Sequence, residues 1–167
     1  VITYGDGRTE DVRAFNEFSI ERAKQQTIRL RVAIDGADIG QCTGDGLIVA
    51  SAQGSTGYGV SAMGPAVDPL VPSLTLIPNN PHRARRFPQL LFPLVLAPTR
   101  RISVTVLERE KRPVRIVGDC SEYHDVVHLE AFTDFSRGVA HALRFVRFSG
   151  AQQRFPARIR EKFIGDE

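Results

Sequence analysis

Tryptophan is absent from these 167 residues, methionine occurs once, and cysteine occurs twice. Cys42 and Cys120 are too few for a disulfide framework and lack metal-site spacing. Both thiols are therefore expected reduced, in a cytoplasmic protein, and no metal site is expected. No apolar run approaches the roughly 20 residues that cross a bilayer. Val1–Gly7 shows no basic region followed by an apolar stretch, so neither a signal peptide nor a membrane partner is expected. Lysine is scarce, three residues against 19 arginines, within a net charge of +3. Arginine forks suit phosphate and carboxylate groups, yet a solvated arginine-rich surface is the simpler account. The His82–Arg86 cluster is short and no aromatic-basic interleaving of the RNA-recognition kind is present, so no nucleic-acid partner is expected. The chain also lacks the Gly-Lys-Ser/Thr of a P-loop and the Gly-x-Ser-x-Gly of a hydrolase elbow. It lacks an initiator Met, which fits a processed product or a piece of a longer polypeptide.

What is present is an ordinary globular composition, 42% hydrophobic and 25% charged, long enough for one domain with a sizeable core. The dominant period is two. Ile28, Leu30, Val32 and Ile34 alternate with Arg29, Arg31 and Ala33, and Asp35-Gly36 follows as a hairpin signal into Ala37–Cys42. Further strands are expected over Leu47–Ala50, Leu74–Ile77, Leu94–Leu96, Ile102–Leu107, Val114–Val117, Asp125–Phe132 and His141–Phe148, with prolines punctuating the gaps. Helical signals are confined to Ser55–Met63 and Ala157–Ile164. The pattern predicts a mainly β, multi-stranded, sandwich-like domain with one or two short helices.

Glycine and small hydroxyl residues concentrate in Gly44–Pro65, GDGLIVASAQGSTGYGVSAMGP. Glycine loses the most conformational freedom on ordering, so a loop this rich in it reads as a binding site whose backbone a ligand approaches closely. Gly44-Asp45-Gly46 reads alone as a β-turn in which Asp tolerates the geometry. Gly54-Ser55-Thr56-Gly57-Tyr58 is more specific, because successive N–H groups leading into a helix form an anion-binding concavity. Its tyrosine and hydroxyls also suit a nucleobase. Asn16-Glu17, at a strand start, pairs an amide with a carboxylate suited to nucleoside and ribose hydroxyls. Asp119-Cys120 presents a carboxylate and a thiol at a strand end. His124 and His128, four apart in an expected strand, share one face, but no third ligand is close in sequence.

In order and spacing these segments resemble the C-terminal domain of the NAD kinase family. The matching residues are Asn16-Glu17, Asp35-Gly36, Gly44–Val49, Gly54–Thr56 with Tyr58, Ser61-Ala62, Gly64-Pro65, Pro81-His82, Pro93–Leu96 and Asp119. The resemblance implies a domain that supports phosphorylation of the adenosine-ribose 2′-hydroxyl of NAD, giving NADP. The donor would be ATP or polyphosphate, with a divalent cation, Mg, in the full-length enzyme. It implies that Asn16, Thr56, Gly57 and Ser61 meet the adenine side of NAD, and that Glu17 holds ribose hydroxyls. Asp45 would take the nicotinamide carboxamide and Tyr58 would pack beside ribose or base, with His82, Asp119 and Cys120 near the site. It implies a homodimer or homotetramer whose dinucleotide site reaches across a subunit interface. The family's Gly-Gly-Asp-Gly motif, which carries the catalytic base, is absent, and Asp6-Gly7 is too isolated to replace it. No catalytic residue is therefore expected in this chain, which reads over 1–167 as the second domain of an enzyme whose N-terminal α/β domain it lacks. The alternative is a diverged, non-catalytic nucleotide-binding or oligomerisation module. Gly57 and Gly59 replace a family alanine and serine, Thr43 an arginine, and Cys120 a histidine.

Overall fold

Ile28, Leu30 and Val32 are fully buried along one face of a strand whose other face carries Arg29 and Arg31. The computed structural model describes residues 1–83, 87–133, and positions 156, 159 and 160. The chain divides into two compact units, Val1–Thr133 and Asp134–Glu167. In the second, Pro156, Ile159 and Arg160 are helical. The strand expected over His141–Phe148 lies outside the described residues, as does the helix over Ala157–Ile164 apart from Ile159 and Arg160.

Among its described residues the first unit holds twelve strands and one short helix, in the order β1 (Ile2–Tyr4), β2 (Thr9–Glu10), β3 (Glu17–Arg22), β4 (Ile28–Ile34), β5 (Ala37–Gly44) and β6 (Gly46–Ser51). A 3₁₀ turn (Gly54–Thr56) and α1 (Tyr58–Ser61) follow, then β7 (Leu74–Asn79), β8 (Leu94–Leu96), β9 (Ile102–Leu107), β10 (Val114–Gly118), β11 (Ser121–His124) and β12 (Val126–Ala131). They form two six-stranded antiparallel sheets, ordered β2-β1-β12-β9-β4-β5 and β11-β10-β3-β6-β7-β8. Residues of both sheets meet in one core: Ile2, Leu30, Val32, Val104 and Leu129 from the first, Ile20, Leu47, Leu76 and Ile116 from the second. The mainly β expectation holds. Each large side chain so buried contributes about 1.5–3 kcal/mol relative to exposure.

The turns follow local chemistry. Asp35 and Gly36 both have positive φ, 49° and 82°, as a two-residue hairpin with matching twist requires. Two single residues carry the chain from sheet to sheet. Asp45 separates β5 from β6, and Asp125, with φ 58°, separates β11 from β12. Gly44-Asp45-Gly46 is thus a corner between sheets rather than a turn within one. His124 and His128 likewise lie in different sheets and share no face, because Asp125 interrupts the expected strand.

The second sheet positions the site. Its inner face holds Phe18, Ile20, Leu47, Val49, Leu74, Leu76, Val114 and Ile116 against the core. Its outer face carries a small apolar cluster, Ile48, Ala50 and Ile77, against which Ala62 packs. The segment after β6 therefore folds back across this outer face.

Candidate functional site

The site is organised by the β3–β6 pair. Glu17 lies opposite Ala50 and Glu21 opposite Gly46, so the two ends of the pair are four residues apart. At the strand rise this is about 14 Å.

Asn16, Glu17, Gly57 and Asp119 gather at one end. Asp119, in the β10–β11 turn with φ 48°, accepts the Phe15 N–H at 2.6 Å and the Asn16 N–H at 3.0 Å. The Asn16 carbonyl accepts the Ser51 N–H at 2.9 Å. One carboxylate and one strand end thereby fix the backbone that presents Asn16 and Glu17. A Cβ on Gly57 would stand 3.1 Å from Glu17 Oε2, so the glycine-rich segment passes directly over this carboxylate. Cys120, next to Asp119, is an exposed free thiol.

Asp45 and Tyr58 occupy the other end. Asp45 Oδ2 accepts from Asn80 Nδ2 at 2.9 Å, and its Oδ1 lies 3.3 Å from the Arg22 guanidinium. Its backbone is held too: the Asp45 N–H donates to Asn79 O, and the Arg22 N–H donates to Asp45 O. The Tyr58 ring is 39% exposed, and its hydroxyl accepts from Asn79 Nδ2 at 3.3 Å. His82 is exposed; its N–H donates to the Thr43 carbonyl at 2.7 Å, which places it beside the same corner. Thr56 is buried and Ser61 is exposed at the end of α1. The expected residues thus form two groups at opposite ends of β6, bridged by Gly54–Ser61.

Three expectations change. The glycines were expected to admit a ligand, but at the corner they admit the protein itself. A Cβ on Gly44 would meet the Asn80 carbonyl at 2.7 Å, and one on Gly46 would meet the Ile20 carbonyl at 2.6 Å. A Cβ on Gly54 would collide with the Asn16 carbonyl. The helix over Ser55–Met63 shrinks to a 3₁₀ turn and one turn of α-helix. The Gly57 N–H, expected to face an anion, donates to the Gly54 carbonyl. Ser55 is also structural: it is fully buried, its Oγ donates to Ala52 O at 2.8 Å, and it accepts from Val67 N–H at 2.8 Å.

A polar network adjoins the site on the outer face. Ser19 Oγ donates to Glu21 Oε1 at 2.8 Å, and Arg115 holds Glu21 Oε2 at 3.0 Å, which pushes the guanidinium pKa up. Arg115, His124, Arg22 and Lys24 line a shallow groove there. Burial lifts the Cys42 thiol to about 12 and leaves it unreactive in the core. Among the described residues no three His, Cys, Asp or Glu side chains gather as a metal site.

Asn79, Asn80 and Arg22 are site neighbours that the sequence reading misses. The Asn-Asn pair between Pro78 and Pro81 resembles any turn signal, and its role depends on the sheet corner that it faces.

The sequence pattern of the ATP-NAD kinase C-terminal domain matches residues 15–147. The chain belongs to this family. It is similar to the NAD kinase of Rhizobium meliloti, 37% identical over 130 residues, which cover 73% of this chain and 49% of that protein. Among solved structures it is similar to the NAD kinase of Archaeoglobus fulgidus in complex with ATP. There the TM-score is 0.63 at 30% identity, over 73% of this chain and 46% of that one. It is also similar to yeast NADH kinase complexed with NADH, with a TM-score of 0.66 at 25% identity, over 78% and 38% of the two chains. The chain spans about half the length of the curated relatives that it matches. Among the described residues no helix is long and apolar enough to cross a membrane.

Proposed function

We propose that this chain is the dinucleotide-binding domain of an NAD kinase. The protein that carries it would transfer a phosphoryl group from ATP or polyphosphate to the adenosine-ribose 2′-hydroxyl of NAD. The observation that carries the reading is the two-ended site. Glu17 lies opposite Ala50, and Asp45 lies one residue beyond Gly46 at the far end of β6, about 17 Å away at the strand rise, too far for one nucleoside and suited to an extended dinucleotide. A second copy that contributes one of the two ends would serve equally.

In this reading Asn16, Thr56, Gly57 and Ser61 face the adenine side. Glu17 accepts hydrogen bonds from ribose hydroxyls, Tyr58 packs on ribose or base, and Asp45 accepts from the nicotinamide carboxamide. Asp119 acts one step back, holding the Phe15–Asn16 backbone; His82 and Cys120 border the site. In the reaction the 2′-oxygen attacks the terminal phosphorus, the bond from that phosphorus to its bridging oxygen breaks, and a base takes the hydroxyl proton. Positioning and charge stabilisation dominate such transfers. This chain's share in the proposal is to bind and orient NAD. The base and the phosphate cradle would belong to a preceding α/β domain. A homodimer or homotetramer in the cytoplasm completes the proposal.

The test is calorimetric titration of NAD into the full-length protein and its Glu17→Ala and Asp45→Ala variants. Loss of a charged acceptor is worth about 1.5–3 kcal/mol, so each variant should bind roughly 10- to 100-fold more weakly. Unchanged affinity in both would remove this face from the site.

A further inference from the structure

The consecutive asparagines at the end of β7 and just past it each touch one residue of the group at the Asp45 end of the site. Asn79 Nδ2 donates to the Tyr58 hydroxyl at 3.3 Å, and Asn80 Nδ2 donates to Asp45 Oδ2 at 2.9 Å. In a continuing strand, neighbouring side chains point to opposite faces. Asn80 breaks that alternation with φ 47°, a left-handed conformation that Asn tolerates better than most residues. Gly44 lets this happen, since its missing Cβ leaves room for the Asn79 and Asn80 carbonyls. We propose that Asn79 and Asn80 are paired positioning residues, which set the donor and acceptor directions of Tyr58 and Asp45 toward the bound dinucleotide.

The chemistry is specific about direction. Because Asn79 donates to the Tyr58 oxygen, the hydroxyl hydrogen is left to point at an acceptor on the ligand. Because Asn80 takes one oxygen of Asp45 and Arg22 the other, the carboxylate is held at both ends. Each oxygen still keeps a lone pair for a ligand N–H. The inference rests on the NAD kinase reading and names which side chains aim the residues of that site.

The experiment is steady-state NAD kinase kinetics of the full-length protein with two mutant cycles. Asn80→Gly removes the amide without straining a left-handed backbone, and Asn79→Ala removes the other. Each should raise KM for NAD about fivefold, the worth of one ordinary hydrogen bond, with little change in kcat. In an Asp45→Ala background Asn80→Gly should add almost nothing, and in a Tyr58→Phe background Asn79→Ala should add almost nothing. Asn80→Asp, of the same size, sets a carboxylate against Asp45 and should raise KM further than Asn80→Gly. An unchanged KM, or the same factor in the Asp45→Ala and Tyr58→Phe backgrounds as in wild type, would overturn the proposal while the wild-type enzyme still makes NADP. A wild-type protein that makes no NADP would overturn it together with the reading it rests on.

Discussion

A Cβ on Gly46 would meet the Ile20 carbonyl at 2.6 Å, and that oxygen belongs to a strand that cannot move aside without parting β3 from β6. Gly46→Ala should therefore destabilise the protein by about 1–3 kcal/mol, the usual cost of overpacking. It should appear as a lower denaturant midpoint with an unchanged slope. Gly57 provides the contrast. An added Cβ there would stand 3.0 Å from the Gly54 carbonyl and 3.1 Å from Glu17 Oε2, a contact that a shift of a few tenths of an ångström relieves. Gly57→Ala should accordingly lower the midpoint less than Gly46→Ala does. A midpoint for Gly46→Ala equal to that of Gly57→Ala would contradict this account of the corner.

The hairpin β4–β5 carries the clearest pH signature among the elements. Asp35 accepts the Arg101 N–H at 2.9 Å and the Arg100 guanidinium at 2.5 Å, and these two bonds lower its pKa below 3.8. A carboxyl depressed in the folded state contributes stability above its unfolded pKa, and that contribution is lost as pH falls through the folded value. Asp35→Asn should therefore be less stable than the parent at neutral pH, and the two should converge below about pH 3.8. Unfolding free energies from pH 2 to 7 read this directly; a constant gap would contradict it. The same hairpin shows what was legible in the sequence. The alternation of Ile28–Ile34 and the Asp35-Gly36 turn are local facts, and β4, β8 and β9 appear with the anticipated bounds. Short or charged strands were not legible: β2 has two exposed residues, and β11 is a polar edge with Glu122 and His124. A strand start was readable at Asn16-Glu17, but its extent to Arg22 rests on pairing with β6 and β10, far away in sequence. The candidate site divides in the same way. Glu17, Asp45 and Tyr58 are singled out through the family resemblance, whereas Asn79 and Asn80 come into view only when β7 is laid beside the Gly44–Gly46 corner.

At the scale of the molecule, one sheet serves two purposes. Its inner face joins the first sheet in a common core, and its outer face carries the polar residues and the glycine-rich segment of the candidate site. The core accordingly anchors the elements that aim Glu17 and Asp45. In the proposed reading the described residues would bind and orient NAD, and phosphoryl transfer would belong to the whole protein. That division is most directly tested by an NADP-forming assay of the full-length protein with NAD, Mg and either ATP or polyphosphate, run beside this chain alone. The account predicts NADP from the full-length protein with at least one donor, and none from the isolated chain. Absence of NADP from the full-length protein with both donors, or turnover by the chain alone, would contradict it.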